Sequence, residues 1–150
     1  MIEIMRADPR GADYIRLLQA SDDYAASLYP AESNHMLDVE ELLRPQMNFF
    51  GVIVDGIVKG CGGFWTCADY VEMKRVFVHP LARGLGLSRK LMTVLEDDAR
   101  AKGFKIARLE TGLSQPEALG LYRSIGYADR GPFGDYKLDP LSVFMEKALS

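Results

Sequence analysis

The stretch Glu72-Met73-Lys74-Arg75-Val76-Phe77-Val78-His79-Pro80-Leu81-Ala82-Arg83-Gly84-Leu85-Gly86-Leu87-Ser88 joins a β-prone run to a glycine-containing turn and the start of a helical pattern. Its first part changes phase. Val71 and Met73 are apolar at odd positions and Val76 and Val78 at even ones, with Lys74-Arg75 at the change. A regular pleat cannot put both pairs on one face. One extra residue does, so a β-bulge is expected near Lys74-Arg75; a strand buried on both faces is the alternative. His79-Pro80 ends the strand. A helix is expected from about Gly84 to Ala101, with Leu87, Leu91, Val94, Leu95 and Ala99 on one face and Lys102-Gly103 as its stop.

The turn between strand and helix has the makings of an anion site. Helix N-terminal N–H groups lack partners and carry about half a positive charge. Gly84 and Gly86 let a bulky anion approach them without Cβ obstruction. Residues 72–90 hold Lys74, Arg75, Arg83, Arg89 and Lys90 against Glu72, a local charge of +4 in a chain of net charge −3. That concentration suits a polyphosphate. Two glycines can also simply shape a tight turn, and their spacing fits neither the Walker pattern nor the dinucleotide fingerprint.

Outward from this stretch, Ile2 to Arg6 alternates as a short strand. Asp8-Pro9 reads as a helix start, with a stripe of Tyr14, Leu17, Leu18, Ala25 and Leu28 before Tyr29-Pro30. Asp38 and Glu41 fit a capping box for a short helix before Pro45. Asn48–Val54 and Ile57–Trp65 flank Asp55-Gly56, a strong hairpin signal. Gly60, Gly62 and Gly63 imply that something packs closely on the second of these strands. Ile106–Thr111 reads as a strand and Pro116–Ser124 as a helix ended by Gly126. Tyr127 begins an extended segment, residues 129–141 a long loop, and Ser142–Lys147 a last strand. The fold class is therefore α/β, in the order β-α-α-β-β-β-α-β-α-β-β, a mixed sheet with helices on its faces.

The 150 residues, 48% hydrophobic and 26% charged, suit a single domain spanning 1–150. No apolar run is long enough to span a membrane, and MIEIMRADPR lacks a signal core, so a cytoplasmic protein is expected. The net charge argues against a nucleic-acid protein. Cys61 and Cys67, six residues apart on one strand, would stand roughly 20 Å apart at about 3.3 Å per residue. That is beyond the reach of a disulfide, so both are expected as free thiols. No metal site is expected.

Arg83-Gly84-Leu85-Gly86-Leu87-Ser88 resembles the acyl-CoA pyrophosphate loop of the GNAT N-acetyltransferases, whose pattern is Gln/Arg-x-x-Gly-x-Gly/Ala. Arg83 and Gly86 match, and Ser88 stands at the last small position. Residues 72–78 are similar to the family's bulged fourth strand. Gln115-Pro116-Glu117-Ala118-Leu119-Gly120-Leu121-Tyr122-Arg123-Ser124-Ile125-Gly126-Tyr127 resembles its Asn-x-x-Ala-x-x-x-Tyr-x-x-x-Gly-Phe helix, with Gln115 for Asn and Tyr127 for Phe. The resemblance implies a mostly antiparallel sheet of six to seven strands and transfer of an acetyl group to a primary amine of a small or amino-acid-like molecule. Acetyl-CoA, or another short acyl-CoA, would lie against Phe77, Val78, Arg83, Gly84, Leu85, Gly86, Leu87, Ser88, Gln115, Ala118 and Tyr122. Its pantetheine arm would run like an added strand between residues 71–79 and Ile106–Thr111. An acyl-CoA-binding regulatory module without catalysis is the alternative, and a homodimer is left open.

The resemblance makes Tyr122 the general acid and Glu72 the candidate base, with the Val78 N–H at the oxyanion. Glu72 can equally pair with Lys74 or Arg75, and Glu110 and His79 are alternative bases. No Lys or Arg lies between Arg16 and Arg44, whereas Asp22, Asp23, Glu32, Asp38, Glu40 and Glu41 do. They form either an acidic rim for a cationic amine or solvated helix faces. Tyr24, Tyr29, Glu32 and His35 are the candidate acceptor contacts. Phe133 and Tyr136 stand in a loop that either closes over the acceptor or lies on the surface.

Overall fold

Asp55 and Gly56 both have positive φ, 50° and 81°, and Val54 faces Ile57 across them. This is the two-residue turn whose twist suits a hairpin. It joins β2 (Met47–Val54) to β3 (Ile57–Thr66), and β4 (Val71–Val78) continues the meander. The computed structural model describes residues 1–33 and 37–149. Its other elements are β1 (Ile2–Arg6), α1 (Ala12–Leu28), α2 (Val39–Leu42), α3 (Leu87–Ala101), β5 (Ile106–Gly112), α4 (Pro116–Ser124), β6 (Ala128–Arg130) and β7 (Ser142–Ala148). Among the described residues the element order is the one expected. The seven strands form one sheet, β1-β2-β3-β4-β5-β7-β6, in which β4–β5 is the one parallel pair.

The expected bulge is present. Lys74 pairs with Gly63 and Phe77 with Cys61, so Arg75 and Val76 together oppose Gly62, and Arg75 adopts φ 59°. Past it, Val76 and Val78 return to the face that holds Val71 and Met73, while Phe77 joins the opposite face. Gly62 has to be glycine: a Cβ there would lie 2.9 Å from the Val76 Cα and 3.0 Å from Leu91 Cδ2. A Cβ on Gly63 would collide with the Asn48 carbonyl.

Both faces are covered. Leu87, Leu91, Leu95 and Ala99 of α3 pack with Leu119 and Tyr122 of α4 onto Phe64, Val71, Met73, Leu109 and Met145. Leu17 and Leu18 of α1, with Leu42 of α2, cover Phe49, Cys61 and Phe77. Each such side chain contributes about 1.5–3 kcal/mol by leaving water. Asp38 and Glu41 make the full capping box of α2. Cys61 and Cys67 are free, and burial pushes the Cys61 thiol up to about 12, so it is not a nucleophile near neutrality.

Two helix starts differ from expectation. The first helix begins at Ala12, not at Asp8-Pro9. The Ala7 N–H still bonds the Phe49 carbonyl at 3.1 Å, prolonging the extended chain, and Asp8 accepts the Arg10 and Gly11 N–H groups in a turn. The third begins at Leu87 rather than near Gly84. Pro80–Ala82 form a 3-10 turn, and Gly84 and Gly86 take φ of 89° and 70°, which no right-handed helix admits. No helix among the described residues is long and apolar enough to cross a membrane.

Candidate active site

β4 and β5 pair only from Val71–Met73 to Ala107–Leu109. Beyond that the bulged β4 and the continuing β5 part, and two cavities open along the split. The larger, about 510 Å³, lies toward the start of α3; the smaller, about 140 Å³, lies between α1 and β5. They share a wall of Tyr24, Val76, Phe77, Gln115, Ala118 and Tyr122.

Of the residues expected at the cofactor, Phe77, Val78, Arg83, Gly84, Gly86, Leu87, Ser88, Gln115, Ala118 and Tyr122 all line the larger cavity. Leu85 is half exposed and stands outside the lining. The two glycines have a double reason. Their φ values disfavour any other residue, and a Cβ would meet nothing at Gly84 and only Lys90 Nζ, at 4.0 Å, at Gly86, so the space above the turn is open. The first helical bond of α3 runs from the Lys90 N–H to the Gly86 carbonyl at 3.1 Å, and no side chain caps the preceding N–H groups. An open cradle, free N–H groups, Arg83 and Arg89 together fit a diphosphate.

The +4 of residues 72–90 does not act there as one unit. Lys74 bonds Glu72 at 3.2 Å and the Tyr136 hydroxyl at 2.8 Å. Arg75 is buried, paired with Asp22 at 2.6 Å and bonded to the Leu18 carbonyl at 3.1 Å. Arg83 and Arg89 are the basic residues that line the larger cavity. Arg83 lies 3.5 Å from Glu117 and 5.8 Å from the centre of the Tyr24 ring; Arg89 donates to Ser124 at 2.8 Å.

Pro116 opens α4 and Gly126, at φ 107°, stops the chain after it. This helix carries Tyr122 into the shared wall. The ring meets Tyr127 edge-on at 6.0 Å, and the hydroxyl has no hydrogen-bond partner among the described residues. Burial raises it to about 12. On the strand, His79 donates its N–H to Lys59 of β3 at 2.8 Å. Alternation then turns the Val78 N–H to the other edge, toward the split.

Glu72 lines neither cavity. Its carboxylate accepts from Tyr136 at 2.5 Å and from Lys74, with about a tenth of its side chain exposed. Burial and the Glu72 charge hold the Tyr136 phenol far above its ordinary range. Glu110, one residue beyond the last β4–β5 pair, does line the smaller cavity. His79 lines neither and caps the 3-10 turn, its Nδ1 accepting from Leu81 at 3.1 Å.

Tyr24 and Tyr29 line the smaller cavity; Glu32, Phe133 and Tyr136 do not, and His35 lies outside the described residues. Tyr29 is a stitch: its hydroxyl takes the Ser114 N–H at 3.1 Å, donates to Gln115 at 3.2 Å, and sits where a Cβ on Gly112 would be. Phe133 packs edge-on among Tyr70, Tyr136 and Phe144 at 5.2–5.9 Å. The acids of residues 17–43 largely serve the fold: Asp22 binds Arg75, Asp23 binds Gln19, and Asp38 and Glu41 cap α2. The cavity also holds Ser21, Met73, Arg75, Thr111 and Leu141, none of them a candidate from sequence. Only Arg75, at the phase change, left a signal.

The pattern of the Acetyltransferase (GNAT) family matches residues 12–127, and the chain belongs to that family. It is an acyl-CoA-dependent N-acyltransferase that uses acetyl-CoA. The chain is 46% identical over 150 residues to an IAA acetyltransferase of Azospirillum brasilense, covering 99% of this chain and 98% of that one. A crystal structure named as an acyl-CoA N-acyltransferase of Klebsiella pneumoniae superposes with a TM-score of 0.85 at 35% identity, over 100% and 99% of the two chains. A GNAT acetyltransferase of Elizabethkingia anophelis with acetyl-CoA bound shares the fold, at TM-score 0.73 and 16% identity over 98% and 97%.

Proposed function

We propose that the chain works as one domain that acetylates a primary amine of a small molecule. The acyl donor would sit in the larger cavity and the acceptor in the smaller. The carrying observation is that the two cavities share one wall, with Tyr122 in it. Acetyl-CoA supplies an activated thioester carbonyl. The Val78 N–H would stabilise the carbonyl oxygen as it gains charge. Glu110 would take the proton from the acceptor nitrogen as the N–C bond forms and the C–S bond breaks. Its place in the wall of the smaller cavity, which Glu72 does not line, supports it over Glu72. Tyr122, with its hydroxyl at about 12, stays protonated throughout the working range. An ordinary thiol sits near ~8.5, so Tyr122 would share its proton with the departing sulfur rather than surrender it.

Thiol release across a panel of amines tests this reading. Tyr122→Phe is expected to lower kcat about 10²-fold with little change in the KM for acetyl-CoA. Glu110→Gln is expected to lower kcat more than Glu72→Gln does; the reverse order overturns the assignment of Glu110.

A further inference from the structure

Pro30 stops α1, and Tyr29 caps it in an extended conformation, φ −134° and ψ 148°. That turn carries the Tyr29 side chain away from α1, which covers β2–β4, to the end of β5 on the other side of the split. Gly112 leaves the room, since a Cβ there would collide with the Tyr29 hydroxyl and Cζ. The Ser114 N–H donates to the hydroxyl oxygen at 3.1 Å, and the hydroxyl donates to Gln115 Oε1 at 3.2 Å. Packing alone asks for neither bond. A phenylalanine ring fills the same space, and Ser114 is exposed, where solvent serves its N–H equally well.

Gln115 stands at the N-cap of α4, yet its side chain caps nothing; it lines both cavities instead. An amide shows an oxygen on one side and N–H groups on the other, and it fits the same volume either way round. The Tyr29 hydroxyl decides between the two. Its oxygen already receives the Ser114 N–H, its one proton needs an acceptor, and Oε1 is the acceptor it meets. The Nε2 N–H groups are left with no hydrogen-bond partner among the described residues. Burial raises the Tyr29 phenol above its ordinary range, so it remains a proton donor at neutral pH.

We propose that Tyr29 is a positioning residue of the donor site: it turns the Gln115 amide so that its N–H groups, not its oxygen, face the acyl donor. This rests on the reading above that the donor occupies the larger cavity. The arm of an acyl-CoA offers both amide carbonyls and amide N–H groups, so an amide free to flip admits the arm in more than one register. A fixed N–H donor takes a carbonyl only, and so sets how far the arm runs along the split toward Tyr122. The Tyr29 ring lines the smaller cavity, while its hydroxyl serves the larger one through Gln115.

The test is a double-mutant cycle with CoA itself, read by calorimetry, which needs no turnover. Gln115→Ala is expected to raise the Kd for CoA about tenfold, the loss of roughly one hydrogen bond. Tyr29→Phe keeps the ring over Gly112 and removes only the hydroxyl; it is expected to raise the Kd about fivefold alone and less than about twofold when Gln115 is already alanine. A Kd unaltered by Tyr29→Phe overturns the proposal. So do equal fold-changes with and without Gln115, which would mark the stitch as merely structural. Steady-state rates give a second readout: the KM for acetyl-CoA is expected to rise in Tyr29→Phe while the KM for the amine stays at its wild-type value. A rise in the amine KM alone makes Tyr29 an acceptor contact instead and overturns the proposal. Failure of the wild type to bind CoA overturns the donor site and this proposal together. CoA binding without thiol release for any amine overturns acetyl transfer alone, and the calorimetric cycle still decides the role of Tyr29.

Discussion

Lys74-Arg75 and Arg83…Arg89 are both basic, and only seven residues separate them, yet they do opposite things. The first pair is buried and already neutralised by the fold, Lys74 against Glu72 and Tyr136, Arg75 against Asp22. The second pair lines an open cradle of glycines at the start of a helix. Charge in a sequence marks a ligand only where the fold leaves it unspent. The bulge divides the two, because it turns the Arg75 side chain toward α1 while the strand runs on to the glycine turn.

Substitutions on either side of the bulge sharpen this contrast. The largest effect is expected from Asp22→Ala, which leaves the Arg75 charge buried without its counter-ion. Loss of about 3 kcal/mol of stability is expected, read as a fall in Tm of roughly 10 °C at a few degrees per kcal/mol. An unchanged Tm would mean that Arg75 is not held by that pair. Next is Gly86→Val, where a β-branched residue must adopt φ 70°. It is expected to cost about 1–2 kcal/mol and to weaken acetyl-CoA binding by calorimetry, since the Cβ enters the cradle. Arg83→Gln should leave Tm unaltered and raise the KM for acetyl-CoA about tenfold, an effect that shrinks in high salt. A drop in Tm with no change in KM would place Arg83 with the spent cations.

The smallest effect is on pH. Hydrogen bonds from Arg108, with a second from Arg130, hold the Glu146 carboxyl below its ordinary range. A carboxylate with a lowered folded value stabilises the fold above its unfolded value, about 4.3, and stops doing so as pH falls through the folded value. Glu146 is more than a third exposed, so Glu146→Gln is expected to lose only a few tenths of a kcal/mol at pH 7 and progressively less as pH falls below about 4, by chemical denaturation.

Much of the fold was legible because its signals are local. The phase change of Val71, Met73, Val76 and Val78 announced the bulge, Asp55-Gly56 the hairpin, and Asp38 with Glu41 the capping box. The lining of the larger cavity was legible for the same reason: Arg83, Gly84, Gly86 and Ser88 fall within six consecutive residues. The acceptor side was not. Glu72 and Glu110 are both strand carboxylates, and only the parting of β4 from β5 decides which one meets a cavity. The Tyr29 hydroxyl over Gly112 joins segments far apart in sequence, and no local pattern foretells it. Asp8-Pro9 carried a helix-start signal that a competing turn and the extra β1–β2 bond overrode.

Three rungs, Val71–Met73 against Ala107–Leu109, are the whole of the backbone pairing between the β1–β4 leaf and the β5–β7–β6 leaf among the described residues. Mechanically the molecule is two stiff plates on a short hinge, and its amide protons should exchange first on either side of that seam. The wall of the smaller cavity takes Met73 from one plate and Leu109 from the other. An acceptor held there would be a clasp as well as a reagent, and loading would stiffen the hinge.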